Sequence, residues 1–84
     1  MKNETKQNNF YKVSDLACCA TLTLFGFPIE RIEKVNPRKA LFVFKRTSEL
    51  NEVINKYWKR QLIVEPAAYF EQLSFIKARI YSEK

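Results

Sequence analysis

The stretch Leu16–Ile29, LACCATLTLFGFPI, carries no charge, while charged residues lie on both sides of it. Any fold open to this chain must bury it. Placed on a helix that starts after Ser14, it puts Leu16, Ala17, Ala20 and Leu24 on one side and Cys18, Leu22 and Phe25 on the other. A helix that is apolar all round is normally covered all round. At about 1.5 Å per residue the stretch reaches about 21 Å, against about 30 Å for a bilayer core, so no membrane span is expected. A polar run precedes it and no small-residue cleavage site follows, so it does not read as a signal peptide. It reads as a central helix packed by its neighbours. The Cys18–Leu22–Phe25 side is where a second chain would pack, which makes Cys18 and Leu22 candidate interface residues.

The rest of the chain must supply that cover within 84 residues. This length makes one domain with a marginal core. Hydrophobic residues form 46% of the chain, which suits a folded domain rather than a disordered one. Only one Gly and three Pro occur, so connections should be short.

Residues 1–9, MKNETKQNN, read as a disordered lead-in to a single compact domain over 10–84. Phe10–Val13 is short, aromatic and β-branched, hence a strand. Ser14 fits the N-cap of the central helix, and Asp15 its first turn. That helix is expected to run to Phe25. Gly26 suits a left-handed C′ position, and Pro28 forbids continuation. Ile29–Val35 and Lys39–Lys45 read as two strands joined by a turn at Asn36-Pro37-Arg38. The first is mixed and charged, as an edge strand is. Strict alternation puts Ile29, Arg31, Glu33 and Val35 on one of its faces. The second is apolar on both faces, so it belongs in the middle.

Thr47 or Ser48 caps a helix whose apolar stripe is Leu50, Val53, Ile54, Tyr57 and Trp58. Leu62–Val64 should cover an end of the core. Glu65-Pro66 opens a last helix with a stripe of Tyr69, Leu73, Ile76 and Ile80, flanked by Phe70 and Tyr81. Lys77 falls within that apolar sector, and Phe75 falls on the polar side. The expected class is α+β: a small three-stranded antiparallel sheet with three helices, in the order β-α-β-β-α-α.

Several residue types and spacings narrow the chemistry. The chain has no His, so His-based acid–base or nucleophile pairs are excluded. With one Gly there is no glycine-rich phosphate loop. Cys18 and Cys19 are adjacent, with Cα atoms about 3.8 Å apart, whereas an ordinary disulfide needs about 4.4–6.8 Å. They read as buried free thiols in a reducing cytoplasm. No zinc-ligand spacing is present. Glu30 and Glu33 alternate with Arg31 and Lys34 as cross-strand charges. No enzymatic activity, metal or cofactor is expected.

The sequence also resembles a family of short bacterial and phage domains classified as a domain of unknown function. The resemblance rests on Tyr11-Lys12-Val13-Ser14-Asp15-Leu16, Gly26-Phe27, Phe42-Val43-Phe44, Tyr57-Trp58, Val64-Glu65-Pro66 and Lys77-Ala78-Arg79-Ile80-Tyr81. It covers roughly residues 10–81. It implies one compact bacterial or phage domain and assigns no activity, cofactor or catalytic residue. The chain departs from the family's pattern at Glu65, where Asp is expected, and at the Cys18-Cys19 pair.

Two functional expectations follow. The net charge of +6 favours an acidic partner, with DNA or RNA the first candidate. The contacts would come from Arg38, Lys39, Lys56, Lys59 and Arg60, provided the second helix brings its basic end toward the hairpin turn. Its basic residues also suit a helix C-terminus through the dipole. The alternative is a protein-interaction module, a homodimer or an adaptor, using Phe75, Cys18 and Leu22.

Overall fold

A computed structural model describes residues 9–82 of the chain. Its elements are β1 (Phe10–Val13), α1 (Leu16–Leu24), β2 (Ile29–Asn36), β3 (Lys39–Lys45), α2 (Ser48–Trp58) and α3 (Pro66–Ser82). This is the expected α+β order. The lead-in expected over residues 1–9 lies outside the described residues except for Asn9. The Asn9 carbonyl accepts a hydrogen bond from the Arg46 N–H at 2.9 Å.

The sheet is antiparallel with strand order β1-β3-β2, so the strand that is apolar on both faces is indeed central. Val13 pairs with Phe42 and Tyr11 with Phe44, and these four side chains form the helix-covered face. On β2 two register shifts break the expected alternation. Ile29 pairs with Phe44 but Arg31 with Val43, so Glu30 is an extra residue; Lys34 pairs with Ala40 but Asn36 with Lys39, so Val35 is another. A bulge turns every side chain before it to the other face. The first one therefore places Ile29 with Ile32 against the core, not with Arg31 and Glu33 as strict alternation predicts.

The opposite face of the sheet has no helix over it. Val43 is nevertheless 0% exposed. Its register neighbours are Lys12 and Arg31. Glu33 bonds to both, at 3.2 Å to Lys12 and 3.0 Å to Arg31, and Arg31 lies over the Phe10 ring at 5.1 Å. Long charged side chains from the two edge strands thus roof the central strand with their stems. The hydrogen bonds from Lys12 and then Arg31 hold the Glu33 carboxyl below its ordinary range.

Helix ends follow local chemistry. The N-cap of α1 is Asp15, not Ser14: its backbone is extended and its Oδ1 accepts from the Ala17 N–H at 3.0 Å. At the other end Phe27 N–H donates to Leu22 C=O and Gly26 N–H to Thr23 C=O, a Schellman closure. Gly26 has φ +95 and open space around its missing Cβ, so backbone conformation alone calls for glycine there. Helix α1 consequently stops at Leu24, one residue short of expectation. Thr47 caps α2 through Leu50 N–H at 3.0 Å. Glu65 caps α3 with both carboxylate oxygens, on Ala67 N–H at 3.2 Å and Ala68 N–H at 2.7 Å. Its longer side chain does the work of the Asp expected at that position.

The core runs through the middle of α1. Cys18, Cys19, Ala20 and Leu22 are fully buried, with Phe42 and Phe44 from β3, Leu50 and Ile54 from α2 and Ile76 from α3. The one buried polar side chain described, Thr21, donates to the Ala17 carbonyl at 2.8 Å. Three expectations are corrected. Cys18 and Leu22 are covered by this chain itself, so they are not interface residues. Trp58 ends its stripe outside the core. Phe70 and Tyr81 are exposed, so Lys77 between them lies on a solvent face and not among buried neighbours. Of the Leu62–Val64 link, Leu62 and Val64 are half-buried, but Ile63 is 93% exposed.

Leu22→Ala tests cover within one chain. Truncating a fully buried Leu is expected to cost about 2–5 kcal/mol. Urea unfolding should show that loss with a midpoint independent of protein concentration; a midpoint that rises with concentration would put Leu22 in an interface instead.

Candidate nucleic-acid interface

The residues that could form an interface fall into two groups, one at the hairpin turn and one at the end of α2, on either side of the Ser14-Asp15 link between β1 and α1. Strand β1 runs toward the hairpin-turn end of the sheet, because Phe10 pairs with Lys45 and Val13 with Phe42. The link therefore leaves the sheet near Pro37-Arg38. A cleft of about 410 Å³ opens there, lined by Ser14, Leu16, Lys34, Arg38 and Lys39 among others. The turn itself is held by Asn36, whose side-chain oxygen accepts from the Arg38 N–H at 2.8 Å.

On the other side of this link stands the C-terminal end of α2. Tyr57 donates its hydroxyl to Asp15 Oδ2 at 3.0 Å. One carboxylate thus caps α1 and holds the end of α2. Burial and then this bond push the Tyr57 phenol up. Tyr69, near the start of α3, is also raised, by burial first and then by Asp15. Lys56 lies in the last turn of α2, and Lys59 and Arg60 follow directly.

Helix α2 closes as α1 does: Gln61 N–H donates to Lys56 C=O at 2.9 Å and Arg60 N–H to Tyr57 C=O at 3.0 Å. The left-handed residue here is Arg60, at φ 60, where glycine is usual. A residue with a Cβ pays roughly 1–2 kcal/mol in that conformation. Beside it lies a second cleft of about 420 Å³, lined by Thr21, Tyr57, Trp58, Arg60, Val64 and Tyr69 with Leu62.

The five expected cations are all exposed. Arg38 and Lys39 border the first cleft and Arg60 the second; Lys56 and Lys59 belong to the helix end that Tyr57 ties to Asp15. Two residues were absent from the expected set. Lys34 joins Arg38 and Lys39 because a hairpin brings its flanks together. By spacing Trp58 belongs to the apolar stripe of α2, yet it is 60% exposed. The signal for it was its place in Lys56-Tyr57-Trp58-Lys59-Arg60, an aromatic pair inside a basic run.

A separate apolar surface lies on α3. Phe75 is 58% exposed and borders a groove with Thr23, Gly26, Phe27 and Pro28. Phe25 and Ile63 flank another groove, over Ala68, and Phe70 shares α3 with Phe75. The thiols contribute no surface. Burial pushes Cys18 up to about 11, with the Asp15 charge adding, and pushes Cys19 up to about 12, with Cys18 adding. Both stay protonated at neutral pH. No group of side chains suited to a metal ion occurs among the described residues. No helix among them is long and apolar enough to cross a membrane.

The sequence model of a family described as a domain of unknown function (DUF5659) matches residues 8–82, nearly the whole chain, and the chain belongs to that family. No curated protein and no solved structure matches it.

Arg60→Gly should raise stability by up to about 1 kcal/mol in urea unfolding, because glycine relieves the left-handed backbone. Arg60→Ala keeps a Cβ and should leave stability about unchanged; equal effects of the two would refute a backbone cause. The thiols give a pH dependence. Their ordinary value of 9.0 is raised in the folded state to about 11 and about 12, so the native chain holds protons that the unfolded chain releases. The stability they contribute is complete below about pH 9 and is lost as pH rises through about 11 to 12. The upward shifts of Tyr11, Tyr57 and Tyr69 act with the same sign at high pH. The melting temperature should fall above about pH 9, and less steeply in a Cys18→Ala, Cys19→Ala variant. An unchanged slope in that variant would count against buried neutral thiols.

Proposed function

We propose that this domain is a small, basic, non-enzymatic accessory protein of a bacterium or a phage that binds nucleic acid through phosphate contacts in the cytoplasm. The observation that carries this reading is the arrangement of exposed cations on both sides of the Ser14-Asp15 link: Arg38 and Lys39 at the hairpin turn, and Lys56, Lys59 and Arg60 at the end of α2. A net charge of +6 adds a general attraction for a polyanion. The non-enzymatic part is supported by a chain without His and by two thiols held protonated in the core.

A second reading has its own observation. Phe25, Ile63, Phe70 and Phe75 are large, apolar and exposed on or beside α3, which favours a protein partner, a second copy of the chain or an adaptor contact. Cys18 and Leu22 no longer belong to that reading. Light scattering at micromolar concentration separates the two: a dimer disrupted by Phe75→Ala supports the second, and a monomer with or without the substitution removes its dimer form.

For the first reading, a labelled DNA duplex and a labelled single strand are titrated at increasing salt. Affinity should fall linearly on a log–log plot, with a slope of about 0.7–0.9 per phosphate neutralised. Replacing Lys56, Lys59 and Arg60 by Gln should weaken binding at low salt and flatten the slope by roughly 2–3. Absence of binding at 50 mM salt, or binding indifferent to salt, would end this reading.

A further inference from the structure

We infer that Trp58 is a stacking platform for an unpaired base, so that the ligand of this surface is single-stranded nucleic acid. This rests on the phosphate-binding reading above and names its ligand. The first observation is the contradiction at Trp58. It falls on the apolar stripe of α2 by spacing, yet most of its ring surface faces solvent, although a Trp side chain is costly to leave there.

The second observation is that the ring is packed on one side by another aromatic ring. Tyr57 meets it edge-on, with centroids 5.0 Å apart and planes at 84°. A ring packed against Tyr57 on one side and largely exposed on the other describes an aromatic platform. Such a platform loses little freedom when a flat ring settles on it.

The third observation is what surrounds it. Trp58 and Arg60 border one cleft with Tyr57 and Tyr69, and Lys56 and Lys59 lie on the same helix end. The cleft of about 420 Å³ is within the usual range for small-ligand sites. An aromatic face beside several cations is the combination that binds single strands, since bases stack while phosphates are neutralised. A duplex keeps its bases stacked on one another and offers this ring only its backbone. A purely electrostatic surface has no need of the Trp.

The chain contains a single Trp, so its fluorescence reports on residue 58 alone. The test uses the full chain at 50 mM salt and three labelled probes: an oligothymidylate, an abasic strand with the same number of phosphates, and a duplex of the same length. Label anisotropy reads binding, and Trp emission reads stacking. The expected result is quenched emission with the oligothymidylate alone, and affinity for the abasic strand and the duplex weaker by roughly tenfold. Trp58→Phe should keep most of the preference for bases, and Trp58→Ala should lose it. Equal affinity for all three probes with unquenched emission would overturn the stacking role and leave phosphate binding standing. Failure of every probe to bind would remove both. The comparison of probes uses the unaltered chain, so it decides the matter even if Trp58→Ala fails to fold.

Discussion

Covering α1 is the constraint on which the rest of this structure depends. The helix has no polar side to turn toward water, so each neighbouring element must bring it an apolar surface. It makes this possible by being thin. Ala17, Cys18, Cys19 and Ala20 are small, which lets α3 above all, and α2, approach its axis closely, while larger side chains such as Leu22, Phe42 and Phe44 fill the core. The two cysteines act here as compact apolar groups, and their raised pKa values follow from that burial. A chain of this length cannot bury everything it carries. Part of the surplus is left exposed on α3 and its preceding link, at Ile63, Phe70, Phe75 and Tyr81.

The elements were legible because each had a local cause. Proline, the lone glycine and the caps mark the ends, and a strand apolar on both faces can only be central. What was not legible depended on tertiary geometry. A bulge at Glu30 leaves no mark in residue type, yet it moves Ile29 to the core. Asp15 displaced Ser14 as the cap because Asp15 also has Tyr57 to hold, a contact 42 positions away in sequence. Arg60 could not be recognised as a left-handed C′ residue, since Arg carries no preference for that conformation. At the candidate interface the five cations were readable as types and as clusters. Lys34 and Trp58 were not, because a face assigned by periodicity says nothing about how far a partner element extends along it. The cover of α2 reaches Tyr57 but not Trp58, the last residue of the helix.

The open face of the sheet illustrates how a small domain economises. Val43 sits on the face without helices and is still fully buried. Lys12 reaches from β1 across the central strand to the Glu33 carboxylate on β2, and Arg31, bonded to the same carboxylate, reaches the other way to lie over the Phe10 ring of β1. Exposed ion pairs add little to stability by their charge. Their value here is geometric, because they hold long aliphatic stems over an apolar strand. The same charges also discourage edge-to-edge pairing of a sheet whose two edges are otherwise open.

The cations at the end of α2 are more than that helix requires. A helix C-terminus carries the equivalent of roughly half a negative charge. One lysine in the last turn answers it, and Lys56 is so placed. Lys59 and Arg60 add two further positive charges just beyond, and Arg60 does so in a backbone conformation that works against it. Among the described residues, Asp15 makes no ion pair with Lys56, Lys59 or Arg60; its oxygens accept from the Ala17 N–H and the Tyr57 hydroxyl. In the function proposed here, this positive charge beyond what the helix itself can use, beside an exposed indole, is what a polyanion with exposed rings would meet.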